Sequence, residues 1–379
     1  MKVEYRNEQV KASHHTHEHL RSGDVLPPAR AHQRGMTLLE LVVALAASLA
    51  VGASVFALMV NQRRVYEQQD NLARLQQSLR IAMDFIERNV TLAGYGTRGY
   101  SIGSTSMGIS GSIPALQVYE GGSGAPDAIQ AFYADPTKLA MTAWSTNQSC
   151  ITSSLKFQNT SDVLYFKESS YMVCFDIANM QAVRSFVLKV SSVDSSTGIV
   201  SVVPPTDNTA FSSSSGVCPS TGNYPLDMQC GAANFATFYI DRNNGDGIGP
   251  GSSTHPVLMM SSSPNALNTT SGVTQASSDV ALTDNMEDLQ VQICTTTKST
   301  TCDSAGWTNA TSSDNALTGV VNLRQVRVTL WARGDSVNPM ASKSASVVNP
   351  LSGASDQYQR QRLRATMLLR NLRLLSFYN

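Results

Sequence analysis

A carboxylate stands where one is costly. Glu40 lies four residues from the start of a long apolar run, Met36 to Val60, whose other polar side chains are Thr37, Ser48 and Ser54. A charge at bilayer depth needs a partner, and side chains of this kind mark function by default. Four other groups of residues could do chemistry. Asp241, Asn243 and Asp246 in "DRNNGDGIGP" have the oxygen ligands that calcium prefers. The spacing is imperfect, because Asp246 falls one position late and position twelve of the frame is Ser252 rather than Glu. A Gly/Asn-rich turn is the simpler reading. His14, His15, His17 and His19 form a cluster near the N-terminus that could hold a metal, but the segment around them reads as a disordered leader. His255 is the one histidine beyond residue 32. It precedes Pro256 in a Ser-rich turn and gives weak support to a Ser-His-Asp triad. No G-x-S-x-G, H-E-x-x-H or phosphate-binding glycine loop is present, so the sequence does not read as an enzyme.

The last group is six cysteines: Cys150, Cys174, Cys218, Cys230, Cys294 and Cys302. All follow the apolar run. An even number on one side of a membrane segment indicates disulfides in an oxidising compartment. Short separations favour pairing of neighbours: Cys150 with Cys174, Cys218 with Cys230, Cys294 with Cys302. No C-x-x-C occurs, which argues against a zinc ribbon or a thioredoxin-like site.

These residues need elements to position them. The run from residue 36 to 60 would span roughly 37 Å as a helix, enough for a hydrocarbon core of about 30 Å. It is too long for the core of a secretory signal. Helical patterning then continues. Val65, Leu72, Leu75, Leu79, Ala82, Met83, Ile86 and Val90 make one apolar stripe, with polar residues elsewhere. Gly94-Tyr95-Gly96 supplies a stop. The pattern predicts one helix over residues 36–93, half membrane anchor and half core helix. Only 15% of the 379 residues are charged, and the formal net charge is zero. No basic excess points to nucleic acid. The Ser/Thr/Asn/Gly-rich remainder suits an exported, β-rich domain. Strands are expected at 128–134, 162–166, 171–175, 186–190, 199–203, 236–240 and 257–260, joined by long polar loops.

Arg34-Gly35-Met36-Thr37-Leu38-Leu39-Glu40-Leu41 resembles the processing site of a type IV pilin precursor. "LRIAMDFIERNVTLAGYG" (residues 79–96), "DNMEDLQVQICTTTKSTTCDSAGW" with "LRQVRVTLWAR", and "QRQRLRATMLLRNL" resemble stretches of the PilW-type minor pilins. The second is also similar to J-type pseudopilins of type II secretion. The resemblance covers both ends of the chain but not residues 100–280. It implies an α+β, pilin-like fold, with a long N-terminal helix packed on an antiparallel sheet. It implies a leader at 1–35, a transmembrane or filament-core helix at 36–60, an amphipathic helix at 61–96 and a periplasmic or extracellular β-rich domain at 97–379. A prepilin peptidase would cut between Gly35 and Met36 and methylate the new amine. Glu40 would then meet the Met36 amine of a neighbouring subunit. The implied partners are the peptidase, the major and other minor pilins, a large tip adhesin and the inner membrane, with no nucleic acid. The implied role is assembly, in a priming or tip complex.

The implied location is the inner membrane, single-pass, with the leader cytoplasmic and the domain periplasmic, then the pilus. Basic residues are more numerous before the apolar run (Lys2, Arg6, Lys11, Arg21, Arg30, Arg34) than just after it (Arg63, Arg64). Two rivals are a J-type pseudopilin, which is usually much smaller, and a signal-anchored periplasmic enzyme or binding protein, which would not need Glu40. No cofactor is expected beyond the calcium that Asp241, Asn243 and Asp246 could bind.

Overall fold

In the computed structural model, the described residues are 37–97, 102–104, 108–122, 124–143, 153–176, 185–203, 228–243, 250–252, 255–268, 272–295, 302, 306–309, 323–337, 347–348, 355–356 and 358–369. The chain divides into two compact units, Met1–Gln62 and Arg63–Asn379.

One helix, α1, runs Leu38–Leu92. In the first unit all its side chains but Val60 are exposed, among them Leu38, Leu41, Leu45, Leu49, Phe56 and Leu58. By length and composition α1 can cross a membrane. Ser48 and Ser54 each donate Oγ–H to the carbonyl four residues back, Ala44 (2.7 Å) and Ala50 (2.9 Å). Both hydroxyls are therefore satisfied without water, which lowers the cost of placing them in hydrocarbon.

In the second unit α1 buries Leu75, Leu79, Ala82, Met83, Ile86 and Val90. The expected stripe is present but starts later, since Val65 remains exposed. These residues share one core with two sheets. The larger has nine strands, in the order Val280–Asp284, Val257–Ser261, Met228–Asp241, Tyr171–Asp176, Ser185–Asp194, Ile199–Val203, Ser154–Lys156. Ala128–Met141 lies along the other edge of Met228–Asp241 and pairs in turn with Leu116–Tyr119. The second sheet has the antiparallel order Thr308–Asn309, Met286–Thr295, Leu323–Val337, Tyr358–Leu368. Its inward residues Leu289, Val291, Ile293, Val326, Val328, Leu330 and Met367 complete the core. The chain is thus α+β, one long N-terminal helix packed on antiparallel sheet, as expected for a pilin-like architecture.

The helix stop works through glycine. Gly94 and Gly96 take positive φ (82° and 76°), a region closed to most side chains. A Cβ on Gly96 would lie 2.9 Å from Ala134 Cβ and from the Phe175 ring. The turn is therefore pressed against the large sheet. Gly94 N–H donates to Phe132 O, and Ala134 N–H to Tyr95 O, both at 2.9 Å.

One expectation about strands needs correction. Residues 162–166 are not a strand, because Asp162–Tyr165 is a 3-10 helix. Val163 and Phe166 are buried while Leu164 and Tyr165 are exposed. That spacing of three fits three residues per turn. Asn159 and Ser161 carbonyls accept from Asp162 and Leu164 N–H groups, both at 3.2 Å. The strand at 128–134 runs on to Met141, through Pro136. The ladder with Met228–Asp241 slips between Ala134 and Leu139, so proline sits in the irregular stretch where a missing N–H is tolerated.

Candidate functional site

Thr37 and Glu40 form a reciprocal cap at the start of α1. Glu40 N–H donates to Thr37 Oγ1 (3.3 Å), and Thr37 N–H donates to Glu40 Oε2 (3.0 Å). Thr37 Oγ1–H also donates to the same Oε2 (3.1 Å). Thr-x-x-Glu at a helix start is the capping-box arrangement, which satisfies two backbone donors at once. The sequence analysis assigned Glu40 an intermolecular role and missed this local one. The T-x-x-E spacing was the available signal. Glu40 Oε1 has no partner among the described residues. Gly35 and Met36 lie outside the described residues.

The disulfides follow the sheet, not the chain. Cys174 is bonded to Cys230, 56 positions away. The two are direct cross-strand partners of Tyr171–Asp176 and Met228–Asp241, and both are fully buried. The pairings Cys150–Cys174 and Cys218–Cys230 are therefore wrong: strand adjacency decides the bond, and sequence separation does not. Cys294 is bonded to Cys302, eight positions on. Cys150 and Cys218 lie outside the described residues.

Asp241 is buried at the end of its strand and closes a loop. Its Oδ1 accepts from Asn243 N–H (3.1 Å) and Gln275 Nε2 (3.2 Å), and its Oδ2 from Gly251 N–H (2.8 Å). A Cβ on Gly251 would lie 2.3 Å from the Asp241 carbonyl oxygen, so that approach requires glycine. The carboxylate is already occupied by protein donors. Asp246 and the histidines at 14, 15, 17 and 19 lie outside the described residues. Among the described residues, no group of three or more His, Cys, Asp or Glu is placed to hold a metal. His255 Nε2 lies 3.8 Å from Asp284 Oδ1, both largely exposed. Ser252 Oγ accepts from the backbone N–H of His255 (2.9 Å), a turn contact.

Two acidic sites escaped the sequence reading. Asp127 joins the two sheets. Its N–H donates to Leu289 O (2.7 Å), while its Oδ2 accepts from Val291 N–H (2.8 Å) and its Oδ1 from Gly121 N–H (3.1 Å). Burial pushes this carboxyl up to about 7, against the pull of those two donors. Asp288, on the same strand as Leu289, is raised to about 6, again mainly by burial. The second site is Glu287. It is 1% exposed and accepts from Arg360 Nε (2.5 Å) and Nη2 (2.9 Å), with Arg333 Nη1 at 3.8 Å. Arg333 also lies over the Tyr358 ring, 4.5 Å from its centre. The pairing ladder slips between Met286 and Asp288, which makes Glu287 the extra residue of a β-bulge. Met286 and Leu289, three apart, both face the core. That break in period two was the readable sign.

The molecule therefore belongs to the class of α+β architectures in which one apolar N-terminal helix carries an antiparallel domain. No family model matches the chain, and no curated protein matches it. Among solved structures it is similar to a type IV-like pilin from Thermus thermophilus, with 9% identity, 79% of this chain and 98% of that chain covered, and a TM-score of 0.31.

Proposed function

We propose that this chain is a subunit of a type IV pilus or pseudopilus-type filament, more specifically a minor pilin of the PilW kind acting in assembly. The observation that carries the reading is Glu40, a carboxylate at the head of an exposed apolar helix. Hydrolysis of the Gly35–Met36 bond would leave a carboxylate on Gly35 and an ammonium on Met36. The ammonium of one subunit, N-methylated at the expense of a sulfonium methyl donor, would pair with Glu40 Oε1 of the next. In a medium of low dielectric an unpaired carboxylate is strongly penalised, while a paired one is not. The pair would thus fix the axial register between subunits. The apolar part of α1 would first lie in the inner membrane and then in a filament core. The β-domain would meet other minor pilins, and a tip adhesin if one is carried.

The test combines processing and assembly. Mass spectrometry of the native protein is expected to find a mature chain beginning at N-methylated Met36, and Gly35→Ala is expected to retain the leader. An intact leader on protein recovered from working filaments would overturn the reading.

A further inference from the structure

The Tyr358–Leu368 strand ends its sheet. Leu323–Val337 covers one of its edges, and among the described residues no strand covers the other. A bare edge presents a row of unpaired N–H and C=O groups. Residues 361–368 also have two distinct faces. Leu363, Ala365 and Met367 pack on the core. Arg362 and Arg364 alternate with them on the outer face, where both are exposed.

Each of those two arginines touches a neighbour on the adjacent strand. Arg362 Cζ lies 5.1 Å from the centre of the Trp331 ring. Arg364 Nε donates to Thr329 Oγ1 (3.3 Å). Beside them Arg327 stacks 3.8 Å over Trp307, and burial together with the Arg364 charge lowers its proton affinity. Four other arginines are paired with acids: Arg63 with Glu67, Arg74 with Asp70, Arg333 and Arg360 with Glu287. Among the described residues Arg327, Arg362 and Arg364 form no ion pair. The whole chain is formally neutral, so this is a local surplus rather than a general one.

We propose that residues 361–368 receive a β-strand from a different protein, acidic at the positions facing outward and apolar at the alternate ones. Main-chain bonds along the edge would give affinity, and the alternating side chains would select the partner. Carboxylates opposite Arg362 and Arg364 would sit at cross-strand distance on the same face. A second copy of this chain does not fit the edge, because it would set arginine against arginine. Charges that merely guard an edge against aggregation would attract any anion and would not read the order of residues in a peptide. The proposal stands apart from leader processing and from Glu40.

The experiment uses the full chain in detergent micelles and fluorescent short peptides. A peptide alternating Glu and Val is expected to bind saturably, and one of the same composition in block order is not. Arg362→Gln with Arg364→Gln is expected to weaken binding by about tenfold, the size of two exposed charge pairs. Arg362→Glu with Arg364→Glu is expected to prefer a peptide alternating Lys and Val. With the unaltered protein, N-methylating the alternating peptide along one edge is expected to abolish binding, and along the other to spare it. Equal binding by the block-order peptide or by a single-stranded oligonucleotide would overturn the proposal. So would equal binding by the two N-methylated peptides.

Discussion

Glu287 and Arg360 are joined by hydrogen bonds of 2.5 and 2.9 Å, although a whole strand lies between theirs in the sheet. The bulge at Glu287 and the length of the arginine make this reach possible. Arg333, on the intervening strand, shares the same carboxylate.

Removing the shared acid should be costly. Glu287→Ala would remove a buried carboxylate that two guanidinium groups share, and breaking a buried pair in this way costs about 3–5 kcal/mol. Replacing the group as a whole (Glu287→Leu, Arg333→Met, Arg360→Met) should cost much less, since apolar substitutes of similar volume are often neutral. Chemical denaturation of the domain in detergent reads both. Equal losses in the two variants would show that packing, not charge, holds this corner.

The Thr37–Glu40 cap and the proposed contact between subunits can be separated. Glu40→Gln keeps an acceptor for the Thr37 N–H and should preserve the helix start, yet it removes the charge. Thr37→Ala breaks the cap, at about 1 kcal/mol, and keeps the charge. Recovery of subunit from sheared filaments is expected to collapse for Glu40→Gln and to persist for Thr37→Ala. The opposite result would assign Glu40 to capping alone.

Asp288 should make stability fall as pH rises. Its folded pKa, about 6, lies above the ordinary value of 3.8. The folded state therefore binds more protons than the unfolded one between those values. The associated stability is full below about pH 4 and is lost as pH climbs through about 6. Asp288→Asn retains an acceptor for Gln290 Nε2, which now donates to Asp288 Oδ1 at 3.0 Å, and does not titrate. Relative to wild type it should gain about 2–3 kcal/mol between pH 4 and pH 7. Denaturation curves at stepped pH measure this. A pH-independent difference would place the proton elsewhere, Asp127 being the next group to test.

Cys174 and Cys230 close a long loop between adjacent strands. Loop-closure entropy alone gives about 4 kcal/mol for a loop of this size. Cys174→Ala with Cys230→Ala is expected to lose most of that, because the thiols are buried and the alanines leave space. Losing Cys294–Cys302, whose loop spans eight positions, should cost less. Peptide mapping without reduction should also recover the Cys174–Cys230 link, and recovery of Cys218–Cys230 would refute the pairing.

Features that depend on neighbours along the chain are readable from residue order. The helix was legible because apolar residues recur at helical spacing from Leu72 to Val90 and because glycines at 94 and 96 end it. The strand cores at 171–175, 199–203 and 257–260 were legible from short apolar runs. Thr37 and Glu40 were legible in principle, since a capping box is written within four residues. Contacts between residues far apart in sequence follow from the packing of the elements. Cys174 meets Cys230 because two strands lie side by side. Asp127 meets Val291 because two sheets share a seam, and only there does burial lift its pKa. Glu287 meets Arg360 because a bulge turns one extra residue outward. Among the described residues no second strand flanks residues 361–368, because of the strand order. A local pattern specifies which face of an element is apolar, but not which element that face or edge will meet, because that choice is made by packing the whole core at once.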